Sequence, residues 1–400
     1  MTDLRFAEHD KAQSVKLADV AGRALASSDV VKAVPDPEGE GRWKLTPITL
    51  VGVATVAVPD GSRITVRIAP KLPIQRLLFM VGHSLHRRGW RSEDVELDEE
   101  EGFVPAFTRM FVVQAEKALR QGLLKGYVQV EETSPVLRGR TRHSDQVKRH
   151  HGRAVPAEVA HDDYTADITE NRLLRAAVES LLRMPEPLPA NVRSRLLRLK
   201  SRLVDVSPLP AGGSRWVWSA NRLNGRYHAA LRLADLVLRG DSVEHRPGEV
   251  TVNGFLFNLA TIFEDFVTGA LRESLAGRAR CELQDEQYLD ERGAIRMKPD
   301  LVAYDENGVA LAVVDAKYKV EKPSGFPDAD LYQMLAYCTA LNLTEGHLVY
   351  AKGNASHGFH RVKHAGITLH QHALDLDQPP AGVLDDIQLL ANRLVAAQSM

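Results

Sequence analysis

The chain has 400 residues, 44% of them hydrophobic and 26% charged, a balance that excludes a fibrous or disordered protein and suits two or three globular domains. Its 51 Lys and Arg against 52 Asp and Glu leave a net charge of −1, so bulk charge does not attach it to nucleic acid. Two cysteines, Cys281 and Cys338, give no disulfide framework and no CxxC zinc pair.

The opening residues mix acids and bases without an apolar run, which reads as no signal peptide. No uncharged apolar stretch is long enough for a bilayer, so no membrane contact is expected and the expected location is cytoplasmic. Residues 1–102 read as a β-rich N-terminal domain. Ile48 to Val58 is β-branched and apolar, Pro59-Asp60-Gly61 marks a turn, and Arg63 to Ile68 alternates with period two, which predicts a hairpin. Ile74 to Arg88 has helical spacing, and the acidic run Glu93 to Glu101 reads as a solvated loop.

Residues 103–250 read as a mainly helical middle region that docks a partner. Phe107, Phe111, Ala115 and Leu119 form one stripe, ending near Gly122 and Gly126. Two stretches are basic: Arg138 to Arg153, interrupted by Gly139 and Gly152, and a helix face with Arg195, Arg198 and Arg202 beside Leu196, Leu199 and Leu203. Clustered arginines contact phosphates or acidic partner surfaces; the plainer account is a solvated face over a packed stripe.

Residues 251–400 change character again, and the chain as a whole reads as α+β and multidomain. An amphipathic helix is expected from about Asn253 to Leu275, with Leu256, Leu259, Phe263, Val267 and Ala270 on its core side. A strand-like segment runs from Met297 to Tyr304, Asp305 to Gly308 is a hairpin turn, and Val309 to Lys317 is apolar on both faces, as in a covered central strand. A helix from about Asp328 to Leu343 and a short strand, Leu348 to Tyr350, complete a compact α/β unit.

A covered strand that ends in Asp315-Ala-Lys317 places both charged side chains on one face. The hairpin brings Asp300 beside Asp315, and two such carboxylates repel unless a cation neutralises them. Oxygen ligands without Cys or His favour Mg²⁺, with Mn²⁺ as the alternative. Lys317 beside the ion can orient the attacking water and offset charge on a phosphate. Glu264 on the flanking helix offers another carboxylate, directly or through water. Gln333 and Tyr337 share a helix face next to an apolar stripe of Leu331, Met334, Cys338 and Leu341. The plainer account of Asp-x-Lys alone is an ion pair at a strand end.

Pro299-Asp300 with Asp315-x-Lys317 resembles the PD-(D/E)xK restriction-endonuclease-like nucleases, and Gln333-x-x-x-Tyr337 resembles the accessory motif of their RecB-like branch. Phe263-Glu-Asp-Phe-Val267, Lys298-Pro-Asp-Leu301, Asp315-Ala-Lys-Tyr-Lys319 and Leu331 to Tyr337 are similar to the McrC family, nuclease subunits of modification-dependent McrBC restriction systems. Ala69-Pro-Lys71, Arg120 to Tyr127, Leu137-Arg-Gly-Arg140 and Glu170 to Leu174 extend the likeness from about Ile48 to Tyr350. The resemblance implies a C-terminal restriction-endonuclease-like domain that cuts double-stranded modified DNA with Mg²⁺. It also implies a hexameric McrB-like AAA+ GTPase partner that the chain stimulates, GTP entering only through that partner. The chain has no Gly-x-x-x-x-Gly-Lys-Ser/Thr loop of its own. Arg138 and Arg140 are the candidates for partner or phosphate contact. Two other readings stand beside this one: a free-standing RecB-like repair or defence nuclease, and a non-catalytic activator of an AAA+ partner.

Overall fold

The computed structural model describes residues 2–8, 10–85, 102–151, 153–210, 218–241, 252–320, 328–352 and 357–396. The acidic run Glu93 to Glu101 lies outside them. The N-terminal elements are β1 (Thr2–Ala7), β2 (Gln13–Lys16), α1 (Asp19–Ala26), β3 (Val31–Pro35), β4 (Arg42–Pro47), β5 (Leu50–Ala57), β6 (Arg63–Ala69) and α2 (Ile74–Leu85). The middle holds α3 (Phe103–Leu119), β7 (Gly126–Ser134), β8 (Arg140–Thr141), α4 (His143–His150), β9 (Ala157–Thr165), α5 (Thr169–Arg183), α6 (Ala190–Arg202) and α7 (His228–Asp241). Then come β10 (Val252–Asn258), α8 (Leu259–Ser274), β11 (Arg280–Leu283), β12 (Gln287–Tyr288), β13 (Arg296–Met297), β14 (Leu301–Tyr304) and β15 (Ala310–Val320). The chain closes with α9 (Asp328–Leu341), β16 (Glu345–Lys352), β17 (His357–Arg361), β18 (Thr368–Ala373) and α10 (Pro380–Ala396). No helix among the described residues is long and apolar enough to cross a membrane.

Contacts gather the chain into two units: Met1–Phe103 with His245–Val252 and Leu256–Met400, and Val104–Glu244 with Asn253–Phe255. Residues on both sides of the helical middle therefore share the first unit. Its N-terminal sheet has the order β1-β6-β5-β10, and the expected hairpin is β5–β6, paired antiparallel from Gly52↔Ile68 to Ala57↔Arg63. β1 lies parallel to β6, and a small sheet of order β2-β4-β3 sits before the hairpin. Helix α2 packs on α8, where the Phe79 and Phe266 rings meet edge to face at 5.4 Å.

The expected helix from Asn253 begins later, at Leu259. Residues 252–258 instead form β10, and Asn258 caps the helix by accepting the Ala260 N–H at 2.9 Å. The C-terminal sheet has six strands in the order β11-β14-β15-β16-β18-β17, antiparallel at its edges and parallel in the middle. Helix α9 covers one face, where Met334, Tyr337 and Cys338 pack with Val302, Val313, Leu348 and Tyr350. Helices α8 and α10 pack against β15 and against each other.

In the second unit, helical periodicity hides a three-stranded sheet of order β7-β9-β8, so the middle region is less helical than its sequence suggests. Glu158 on β9, only 1% exposed, collects Arg142, Arg149 and His150. Arg195 pairs with Glu116 at 2.6 Å, and Arg202 donates to the Leu119 carbonyl, so much of the basic character is structural.

Candidate active site

The site is built by register. β14 and β15 pair antiparallel from Leu301↔Val314, so Asp300, one residue before β14, stands across from Asp315. Both carboxylates are buried, Asp300 at 7% exposure and Asp315 at 2%. Asp300 Oδ2 accepts the Ala316 N–H at 2.9 Å, which draws the two strands' ends together. Asp300 Oδ1 accepts from Gln284 Nε2 at 2.7 Å. Gln284 holds a left-handed backbone, φ 53°, just past β11, and its own N–H donates to the Asp300 carbonyl at 3.1 Å.

Lys317 shares the face of Asp315 and lies against Asp315 Oδ2 as an ion pair. On the neighbouring parallel strand Lys317 pairs with Tyr350, whose O–H donates to Asp330 Oδ2 at 3.3 Å. Asp330, in the first turn of α9, is buried and its charge reaches Lys317.

Burial raises the Asp300 carboxyl above its usual range, with Glu264 adding to the rise against the Ala316 hydrogen bond. Burial and the Asp300 charge push Asp315 up to about 7. Lys317 is pulled down by burial, but Asp315, then Asp300 and Asp330, hold it above its ordinary value. Burial raises Glu264 too, with Lys317 opposing and Asp315 reinforcing. Two buried carboxyls thus compete to ionise beside one ammonium, a repulsion that a hard divalent cation would offset.

Whether the residues fit such an ion is decided by their number. Among the described residues no three His, Cys, Asp or Glu side chains converge as around a bound ion. Mg²⁺ needs fewer, since it is commonly held by one or two carboxylates with water and substrate phosphate filling its shell. Asp300 and Asp315 meet that need. Glu264 is near enough for its charge to be felt by Asp300.

Gln333 and Tyr337 lie one turn apart on α9 and meet each other. Gln333 Nε2 donates to the Tyr337 hydroxyl at 2.7 Å, and the Tyr337 O–H reaches the Lys298 carbonyl at 3.4 Å, beside Pro299-Asp300. A Cβ on Gly346 of β16 would stand 2.5 Å from Cys338 Sγ and 2.7 Å from Met334, so only glycine lets α9 lie this close. In the second unit, Arg138 and Arg140 are exposed and make no ion pair among the described residues. Gly139 between them holds φ +63°, with room for no Cβ: one would meet the Ala160 carbonyl oxygen at 2.4 Å. Gln284 and Asp330 are the site residues that spacing alone did not disclose.

The family described as McrBC 5-methylcytosine restriction system component matches residues 46–351. The chain belongs to this family. Its fold is similar to a chain from the Thermococcus gammatolerans assembly of McrB AAA+ hexamers with bound McrC, at 17% identity and TM-score 0.52, covering 98% of this chain and 100% of that one. A chain of the McrBC complex of the same organism has 19% identity and TM-score 0.37, covering 69% of this chain and 88% of that one. No curated protein matches. The matched span of this McrBC-family chain contains Asp300, Asp315, Lys317, Glu264, Gln333 and Tyr337, and also Arg138 and Arg140.

Proposed function

We propose that this chain is the Mg²⁺-dependent DNA endonuclease subunit of an McrBC-like defence system, cutting modified double-stranded DNA with an AAA+ GTPase that it stimulates. The observation that carries this reading is the buried Asp300–Asp315 pair facing Lys317 on adjacent interior strands of a covered sheet. Asp300 and Asp315 are the residues to hold Mg²⁺ or Mn²⁺, with Glu264 contributing directly or through water. When bound, the ion neutralises the paired carboxylates and polarises a phosphodiester.

The chain's own residues do the rest. Lys317, kept protonated by its acidic neighbours, donates a hydrogen bond to the attacking water and offsets charge growing on the phosphate. Gln284 and the Ala316 N–H hold the Asp300 carboxylate in one orientation. Gln333 and Tyr337 brace the segment that carries Asp300. Arg138 and Arg140 are proposed to meet the motor partner or a phosphate bound to it, as an arginine does beside a transferring phosphoryl group.

The test is cleavage of methylated and unmethylated plasmid by purified chain with Mg²⁺, with and without the AAA+ GTPase and GTP. Cutting of methylated plasmid that needs the partner supports the reading. Cutting by the chain alone means a free-standing nuclease, and GTPase stimulation without any cutting means an activator.

A further inference from the structure

We propose that Glu8, in the N-terminal sheet, is a positioning residue that holds the strand segment carrying Lys317; a role in cleavage rests on the nuclease reading above. Glu8 follows β1 directly, and its N–H donates to the Ala69 carbonyl at 2.9 Å, one step past the β1–β6 ladder. Its side chain is 1% exposed. Oε1 accepts two hydrogen bonds, from the Tyr318 O–H at 2.8 Å and from the Lys71 N–H at 3.2 Å. One carboxylate oxygen therefore joins Ala69-Pro-Lys71 to Asp315-Ala-Lys-Tyr-Lys319.

The place where it holds β15 is a weak one. Pairing with β16 is regular to Lys317↔Tyr350 and resumes at Val320↔Lys352, three steps on one strand against two on the other. This is a bulge immediately after Lys317, and a bulge leaves a residue without ladder bonds to fix it. Tyr318 is in that gap. Its ring is buried 5.9 Å from Phe263, the neighbour of Glu264, and its hydroxyl is held by Glu8. The backbone of Lys317 is thus fixed on one side by the sheet and on the other through Tyr318. Burying a carboxylate is expensive where an apolar residue would pack freely, so stability alone does not account for a Glu at this position.

The test uses the full chain with its partner, DNA and Mg²⁺, in three variants: Tyr318→Phe, Glu8→Leu and Glu8→Gln. Tyr318→Phe removes only the hydroxyl, and Glu8→Gln keeps an acceptor. We expect Tyr318→Phe and Glu8→Leu to lower kcat by about ten- to a hundredfold with KM for DNA unchanged, as for a misplaced reacting group. Glu8→Gln should restore most of the rate. A second readout does not need cleavage: with lysine labelled at ¹³Cε, the Lys317 resonance, assigned through Lys317→Arg, should shift in Tyr318→Phe and return in Glu8→Gln. A lowered melting temperature with wild-type kcat and an unshifted resonance overturns the proposal. If the wild type cuts no DNA the nuclease reading fails, and the resonance still decides the tether: shifted supports it, unshifted removes it.

Discussion

Asp315 bears the largest charge problem in the site, and its neighbours predict how the protein responds to its removal. Its carboxyl is raised to about 7 by burial and by Asp300. An acid whose folded pKa lies above its unfolded value makes the folded state bind more protons, so the stability it contributes is lost as pH rises, here between about 4 and about 7. Asp315→Asn should therefore raise the melting temperature at pH 8 without divalent ions while abolishing cleavage. Mg²⁺ should raise the melting temperature of the wild type and leave that of Asp315→Asn unmoved, because only the former keeps both carboxylates proposed to hold the ion. An equal Mg²⁺ shift in both proteins would show that the carboxylates hold no metal. Lys317→Ala should slow cleavage by at least about a hundredfold. Lys319→Ala should lose far less, since residue 319 stands a further step from Asp315, beyond the point where pairing with β16 shifts after Lys317. The Lys319 side chain itself lies outside the described residues. The spacing of Asp300, Asp315 and Lys317 was readable because register and period two fix it. Gln284 was not, because its contact depends on a left-handed turn that no residue-type pattern announces. Asp330 reads in sequence as an ordinary acid at a helix start.

At the scale of elements, Gly346 sets how near α9 comes to β16. Gly346→Ala should push Met334 and Cys338 outward, destabilising the chain by about 1–3 kcal/mol in the manner of an overpacked core. Chemical denaturation measures this, and a neutral result would mean the helix slides freely. A second element-level prediction concerns β16 and β18. His347 and His370 are register partners with rings stacked at 5.0 Å, and His347 Nδ1 lies 3.1 Å from His372 Nε2. Burial, then the neighbouring His372, His370 and Arg393, hold His347 well below the usual histidine range. Below about 6.5 the unfolded chain takes up a proton that the folded one refuses, so stability is lost as pH falls. Buried His83 acts in the same direction. His347→Gln should flatten this acid limb, read as a smaller stability difference between pH 7.5 and 5.5 than in the wild type. The β5–β6 hairpin was legible because one strand alternates and both meet a turn. β7 and β9 were not: β7 buries no residue before Ser134, while β9 buries four in a row, Ala157 to Ala160, so neither carries a buried face of period two. β10 was read as helix because Leu256, Leu259 and Phe263 keep helical spacing across the Asn258 cap.

At the scale of the molecule, the carboxylates proposed to hold a metal all lie after Asn253, which suggests a fragment ending near Gly240 as a free partner-binding piece. The fold argues against this. Such a cut removes β10 from the N-terminal sheet and α8 from beneath α2, along with the Tyr318 partner of Glu8. The truncated chain should be insoluble or molten, with lost near-ultraviolet dichroism; a cooperatively melting 1–240 fragment would show the first unit closes without its C-terminal half. The opposite excision has better prospects. Phe103, where the chain leaves the first unit, and Phe257, just after it returns, meet edge to face at 5.1 Å. The intervening polypeptide is a guest whose two attachment points already touch within its host. A loop replacing residues 104–251, of which 245–251 count with the first unit, has to reach only from Phe103 to the start of β10, roughly eight residues of glycine and serine at about 3.5 Å each. Closing so short a gap adds little entropy, so the shortened host should melt cooperatively on its own. The same socket would then accept a foreign module on an unchanged first unit.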